Sequence, residues 1–440
     1  MKIDYVGRWS STGSTGPTGN LYGEVHVGRI YTCMDGSGQQ DVGLIEDAAF
    51  VLDTAACRFV WVGHSNAVPE EFKQVKLVDL HGRGSYIPAL IDCHTHLAFA
   101  GWRAEEFALK CKGATYQEIL ARGGGILSTV RHTRAASEEE LFQRAWWFFN
   151  HMGELGTEVV EAKSGYGLTV EGELKLLRVY RRLSEEKYGG AIVPTFLGAH
   201  TIPGEYHGRR SDYVKLVCDE MIPRVAEEKL ARFCDVFVEE GAFSVEEGQT
   251  ILETGKRYGL RPKLHADQLR DGGGAKLAAD VGAISADHLE YASDEGLDAM
   301  ARASVIAVAL PIASLYLRQP PLDARRCMER GVKVAVATDF NPGSAPCLDL
   351  RLAMLLSCIM NRLAPAEALK GATQYAAQAL GIQDTFGSIE AGKSTAIEKL
   401  PDDMTIEQWL YHYNPARCMH PELALDFNDL HEHFAPGKQD

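Results

Sequence analysis

Apolar residues along this chain recur in two regimes. Up to about residue 85 they fall in short, partly alternating runs: Val25-His-Val-Gly-Arg-Ile-Tyr-Thr, Ala48-Ala-Phe-Val-Leu, Arg58-Phe-Val-Trp-Val-Gly and Val75-Lys-Leu-Val-Asp-Leu. Such runs predict strands. Gly- and Ser-rich turns lie between them, notably from Ser10 to Gly19. From residue 87 the texture changes. Apolar runs at 87–91, 157–164, 191–200, 234–239, 261–267, 283–288, 305–311 and 332–339 read as strands. Helical periodicity follows each but the last before the next strand, at 138–155, 171–187, 211–229, 245–258, 272–281, 294–303 and 324–330. Two more helices are expected at 348–360 and 365–379, and the text from about Asp384 turns back to β-type, with Gly387–Gly392 and Ser394–Leu400.

Repeated strand–helix crossovers imply parallel pairing. Eight such units close naturally into a (β/α)8 TIM-type barrel. An open doubly wound sheet is the alternative, but no Gly-x-Gly-x-x-Gly follows an early strand. The expected organisation is therefore α/β. Residues 1–86 and 384–440 are the two parts of a small composite β-sandwich domain, and 87–383 form the barrel. Residues 420–440 read as a short helix and a loose end.

Composition narrows the functional classes. The chain has 440 residues, 45% hydrophobic and 24% charged, as ordinary globular proteins do. Its formal net charge of -15 argues against nucleic acid or anionic membrane as partner, since both need a basic surface. Val305 to Ala313 is far shorter than the ~20 residues of a membrane crossing. The N-terminus has no apolar secretory core. Ten cysteines without a Cys-x-x-Cys pair read as scattered thiols of a reducing, cytoplasmic compartment.

Chemistry-bearing residues gather at the predicted strand ends: Asp92, His94, His96, Lys163, His200, Glu239, His265, His288 and Asp339. Strand C-termini of such a barrel share one rim, where sites form. On a strand, His94 and His96 point the same way. His94, His96, His265 and Asp339 make a donor set for one divalent ion, zinc or iron, with a position left for water. The ion would activate that water, and Asp339 would take its proton and pass it to a leaving nitrogen. His288 is placed as a base or hydrogen bonder. Lys163 reads as a structural lysine rather than a carbamylated bridge between two metals. Arg103 suits a substrate carboxylate. Tyr166, between two glycines, offers a hydroxyl. Asn341-Pro-Gly-Ser344 forms an anion-binding turn or an ordinary Asn-Pro turn. Gln268, three residues past His265, can hydrogen-bond an amide or ring nitrogen.

On these residues the chain resembles the imidazolonepropionase family of the amidohydrolase superfamily. The resemblance runs from Gly43 to about Lys393. It rests on Asp92-Cys-His-Thr-His-Leu97, Gly123-Gly-Gly-Ile-Leu-Ser-Thr-Val-Arg131, Lys163-Ser-Gly-Tyr-Gly167, Phe196-Leu-Gly-Ala-His200, Lys263-Leu-His-Ala-Asp-Gln268, Ser285-Ala-Asp-His-Leu289 and Ala337-Thr-Asp-Phe-Asn-Pro-Gly-Ser344. It implies a β/α barrel beside a composite β domain, a homodimer, and iron or zinc on His94, His96, His265 and Asp339. It implies substrate contacts from Arg103, Tyr166, His200, Gln268, Asn341, Gly343 and Ser344. The reaction it implies is hydrolytic opening of 4-imidazolone-5-propanoate to N-formimidoyl-L-glutamate, the third step of histidine degradation. Asp339 and His288 would then handle the protons, because Gln268 is an amide where some members carry glutamate.

The chain departs from the family text at Ala89, where glycine is usual, at Ser394-Thr-Ala-Ile397, and at its end. Alanine at 89 is tolerable if φ is negative there. Two other functions compete: a different cyclic amidine hydrolase or deaminase on the same scaffold, and a non-catalytic assembly protein that has lost its metal.

Overall fold

The computed structural model describes residues 20–413 except 37, 76, 115–117, 119–122 and 187–190. The Ser10–Gly19 turns and the expectations for residues 420–440 lie outside the described residues. Two sheets organise the rest. The first begins with β1 (Leu21–Tyr31), β2 (Leu44–Asp53), β3 (Arg58–His64), β4 (Leu77–Asp79) and β5 (Ser85–Pro88). The second takes β6 (Leu90–Asp92), β7 (Thr157–Lys163), β8 (Ala191–Ala199), β9 (Phe233–Val238), β10 (Arg261–Ala266), β11 (Ser285–His288), β12 (Ile306–Ala309) and β13 (Val334–Val336). A last strand, β14 (Ile397–Lys399), returns to the first sheet and pairs antiparallel with β5.

The second sheet runs β6 to β13 in sequence order, and every pairing is parallel. It is the eight-unit barrel that the repeating pattern predicts. Its closure is less ordinary. The first and last strands meet only beyond their ends. Asp339 N donates to the His94 carbonyl at 3.0 Å and His96 N to the Phe340 carbonyl at 2.8 Å. Thr95 and Phe340 form a parallel bridge. Buried Asp92 accepts from Thr338 N at 3.2 Å and from Thr338 Oγ1 at 2.6 Å. The seam is thus stitched by the two segments that carry three of the four expected ligands.

Several elements differ from expectation. The apolar run 87–91 is divided between the two sheets, because Ser85–Pro88 pairs with β1 and β14 while Leu90–Asp92 opens the barrel. Ala89 sits at the crossing, has no positive φ, and donates its N–H to the Ala396 carbonyl, so alanine costs nothing there. Pro311 starts a helix (Pro311–Leu317) instead of ending a strand, as suits a residue without an N–H at a first helical turn. The helix expected over 211–229 contains a π turn at Val217–Met221, just before Pro223, whose ring disrupts the regular ladder. The helix expected over 365–379 breaks into Pro365–Gly371 and Gln374–Ala379. Of the tail text, only Ile397–Lys399 is a strand, and a helix at Ile406–Tyr411, opened by a Thr405–Gln408 capping box, was not anticipated. No helix among the described residues is long and apolar enough to cross a membrane.

Candidate metal centre

His94, His96 and His265 bring ring nitrogens within 4.8 Å of one another, all buried. The two outer histidines are braced from below. His94 Nδ1 donates to Asp287 Oδ2 at 2.6 Å, and His265 Nδ1 to Asp235 Oδ1 at 3.1 Å. In the neutral ring these bonds fix the proton on Nδ1 and leave Nε2 with a lone pair. Both Nε2 atoms are buried with no hydrogen-bond partner. A carboxylate behind Nδ1 and a bare Nε2 in front is the arrangement of a metal-binding histidine. Asp339 enters across the seam. Its Oδ1 lies 3.3 Å from His94 Nε2 and 3.5 Å from His96 Nε2. The carboxylate oxygen and the two Nε2 atoms thus lie close enough to share one point. The donor set suits one divalent cation.

Beneath the braces lies a charged layer without solvent exposure. Lys163 Nζ contacts Asp235 at 2.7 Å, Glu161 at 3.0 Å and Asp287 at 3.2 Å, and Lys263 Nζ contacts Glu161 at 2.9 Å. Burial alone would lower the Lys163 pKa, but Asp235, Glu161 and Asp287 hold it well above the usual range. Lys163 is the centre of a buried ion-pair cluster in this structure. It and Lys263 also fill the space among carboxylates where donor proximity alone suggests further cation sites. Burial would raise the Asp235 and Asp287 carboxyls, yet His265 and Lys163 hold the first below the usual range, and Lys163, Lys263 and His94 hold the second far below it.

The remaining site residues surround this centre. The His288 ring centroid lies 5.9 Å from that of His94 and 5.6 Å from that of His265. His200 stacks on His96 at 5.0 Å and donates Nδ1–H to the Gly165 carbonyl at 3.1 Å. Burial, with His96 and His265 beside it, holds its pKa far below the usual value, so it is neutral. Gly165 has φ 109°, and a Cβ there would lie 2.9 Å from His200 Nδ1. Tyr166 is buried against His96 and His200 at 5.7 and 5.4 Å. Burial raises its pKa, Arg103 draws it down and Asp339 pushes it up, which places its hydroxyl within electrostatic reach of both. Its loop is clamped by Glu173, which accepts from the backbone N–H groups of Gly165, Gly167 and Leu168 at 2.7–2.9 Å.

Arg103 is held by Glu106 at 3.2 Å, and its guanidinium packs on Gly343, where a Cβ would clash at 2.1 Å. The Asn341–Ser344 turn differs from an anion cradle. The N–H groups of Gly343 and Ser344 both donate to Asn341 Oδ1 at 2.8 Å, so they are already taken. What the turn supplies is a backbone surface for Arg103. Gln268 is buried on the segment after β10, and Glu239 braces that segment by accepting from Leu269 N at 2.9 Å.

Sequence reasoning did not single out Asp235, Asp287, Glu161, Lys263, Glu173, Glu106 or Glu290. A signal existed for the first four. Each is a charge inside an otherwise apolar strand, and such a residue needs a partner.

The amidohydrolase family profile matches residues 224–397. An imidazolonepropionase of Polaromonas sp. strain JS666 is 46% identical over 387 residues, covering 86% of this chain and 89% of that protein. Another, from Symbiobacterium thermophilum, is 50% identical over 341 residues, covering 76% and 80%. Among solved structures, a triazine hydrolase variant superposes with a TM-score of 0.65 over 88% of each chain at 17% identity, a likeness of fold alone. The braced histidines, the seam aspartate and this extent of identity agree: the chain belongs to the imidazolonepropionase family of amidohydrolases.

Proposed function

We propose that this protein hydrolyses 4-imidazolone-5-propanoate to N-formimidoyl-L-glutamate in histidine degradation. The observation that carries the reading is the pair of buried histidines with carboxylates on Nδ1 and no protein partner on Nε2. When bound, a divalent ion supplies Lewis acidity at that point, acidifying water and polarising the carbonyl under attack. The chain's own residues do the rest. Asp339, kept ionised by His94 and His96 against burial, accepts a proton as water adds to the ring carbonyl carbon. It returns that proton to the ring nitrogen as the C–N bond breaks. His288 hydrogen-bonds at the reacting centre and shares the proton traffic. Arg103 grips the propanoate carboxylate through charge-assisted hydrogen bonds. Tyr166, held protonated, and neutral His200 donate to the substrate, while Gln268, Asn341, Gly343 and Ser344 shape the remaining wall.

The imidazole-rich donor set accepts zinc or iron. On the family reading the chain acts as a cytoplasmic homodimer. Elemental analysis of the isolated protein identifies the metal, and light scattering the assembly. The decisive assay follows loss of imidazolonepropanoate by metal-loaded protein. Turnover no faster than that of His265→Ala would sink the reading.

A further inference from the structure

Glu290 follows β11 by two residues, and its side chain has no solvent exposure. Oε1 accepts a hydrogen bond from Ser314 Oγ at 3.1 Å. Oε2 is buried with no partner. His288 Nδ1 is buried without a partner too, and lies 3.8 Å from Glu290 Oε1. His288 Nδ1 and Glu290 Oε2 are thus both buried without a partner on side chains 3.8 Å apart, and orphaned buried polar groups are strongly disfavoured. A small rotation of the imidazole toward the carboxylate would satisfy Nδ1.

Three neighbouring histidines show what this pairing does. His94 has Asp287 behind Nδ1, His265 has Asp235, and His200 has the Gly165 carbonyl. His288 stands over the same centre with only Glu290 in that position. The backbone is bent to bring this about: His288 and Leu289 have φ of 78° and 65°, a left-handed conformation that non-glycine residues rarely hold in succession. The bend sets His288 above His94 and His265 and carries Glu290 back behind it.

We propose that Glu290 is the positioning residue of His288. It accepts the Nδ1 proton, fixes one tautomer, and presents the Nε2 lone pair to the reacting centre. The proton stays on Nδ1, so no group is transferred. The inference rests on His288 acting in the reaction, and the test separates the two claims.

The test uses zinc-loaded protein carrying Glu290→Gln, with Glu290→Ala, Ser314→Ala and His288→Asn beside it. Glu290→Gln is expected to lower kcat by about 10–100-fold, the usual effect of losing such a partner, with KM within about twofold and one metal retained. Its unfolding midpoint should change little, since the amide oxygen of glutamine can keep the Ser314 hydrogen bond. Nitrogen-15 signals of the His288 ring should change from one tautomer to a mixture. Ser314→Ala should leave kcat nearly intact. Unchanged kcat in Glu290→Gln, or a loss that comes only with lost metal or raised KM, overturns the proposal. Wild-type turnover in His288→Asn would instead overturn the role of His288 itself.

Discussion

Beneath the histidines, Lys163, Glu161, Asp235 and Asp287 have no exposure and hold one another through contacts of 2.7–3.2 Å. At the mouth, Arg103 is held by one ion pair at 3.2 Å and by the missing side chain of Gly343. The floor stands on strands, and each of its groups has several partners. The wall stands on loops, and its one cation has few. Damage to the floor should therefore spread to metal and stability together. Damage to the wall should stay in substrate affinity.

Lys163→Met is the harshest test. It removes the shared partner of three carboxylates in a dry layer, and removing one partner of a buried ion network costs about 3–5 kcal/mol. Both histidine braces then repel each other. The expected result is a large fall in unfolding midpoint together with loss of bound metal. Normal metal content would show that the floor is not the support it resembles.

The floor also predicts a pH dependence. In the metal-free protein, burial and then Lys163 draw the His94 pKa down, but Asp287 and Asp339 outweigh them and raise it to about 9. Burial, resisted in part by Asp235, lowers His265 to about 3. At pH 7 the His94 ring is thus protonated and must release its proton to accept a metal, whereas His265 is ready. Metal affinity should rise about tenfold per pH unit from 7 and level off near 9. Titration with zinc at several pH values reads this directly, and a flat profile would mean that Asp287 and Asp339 do not charge His94.

On the wall, Gly343→Ala puts a methyl group where the guanidinium lies. KM should rise about 10-fold or more, as expected for a lost charge-assisted hydrogen bond, with kcat and metal content little changed. Glu106→Gln should act in the same direction but by only a few-fold, since it loosens Arg103 without displacing it. Steady-state kinetics with both variants ranks them. A fall in kcat larger than the rise in KM would mean that wall and floor are coupled.

The fold was legible because a parallel barrel repeats one unit, and its buried strands need short apolar runs that a reader can count. The histidine cluster was legible because strand ends share a rim. The braces were harder. Asp287 and Lys263 are charges hidden in apolar strands, but their partners lie on other strands, and only closure of the barrel says which. The β5–β6 division was invisible, because Ile87 to Ile91 reads as one run whichever sheet takes each half. The Asn341 turn stayed open between two readings because its residues suit both an anion and each other; its own amide oxygen takes the N–H groups of Gly343 and Ser344.

The stitched seam makes the centre a late arrival in the life of the chain. His94 and His96 leave the ribosome early, but Asp339, which lies against both, is made with the last strand, and the backbone bonds from His94 to Asp339 and from His96 to Phe340 form only when the two ends of the barrel meet. A nascent chain that stops before its eighth unit therefore has neither a closed wall nor the seam aspartate.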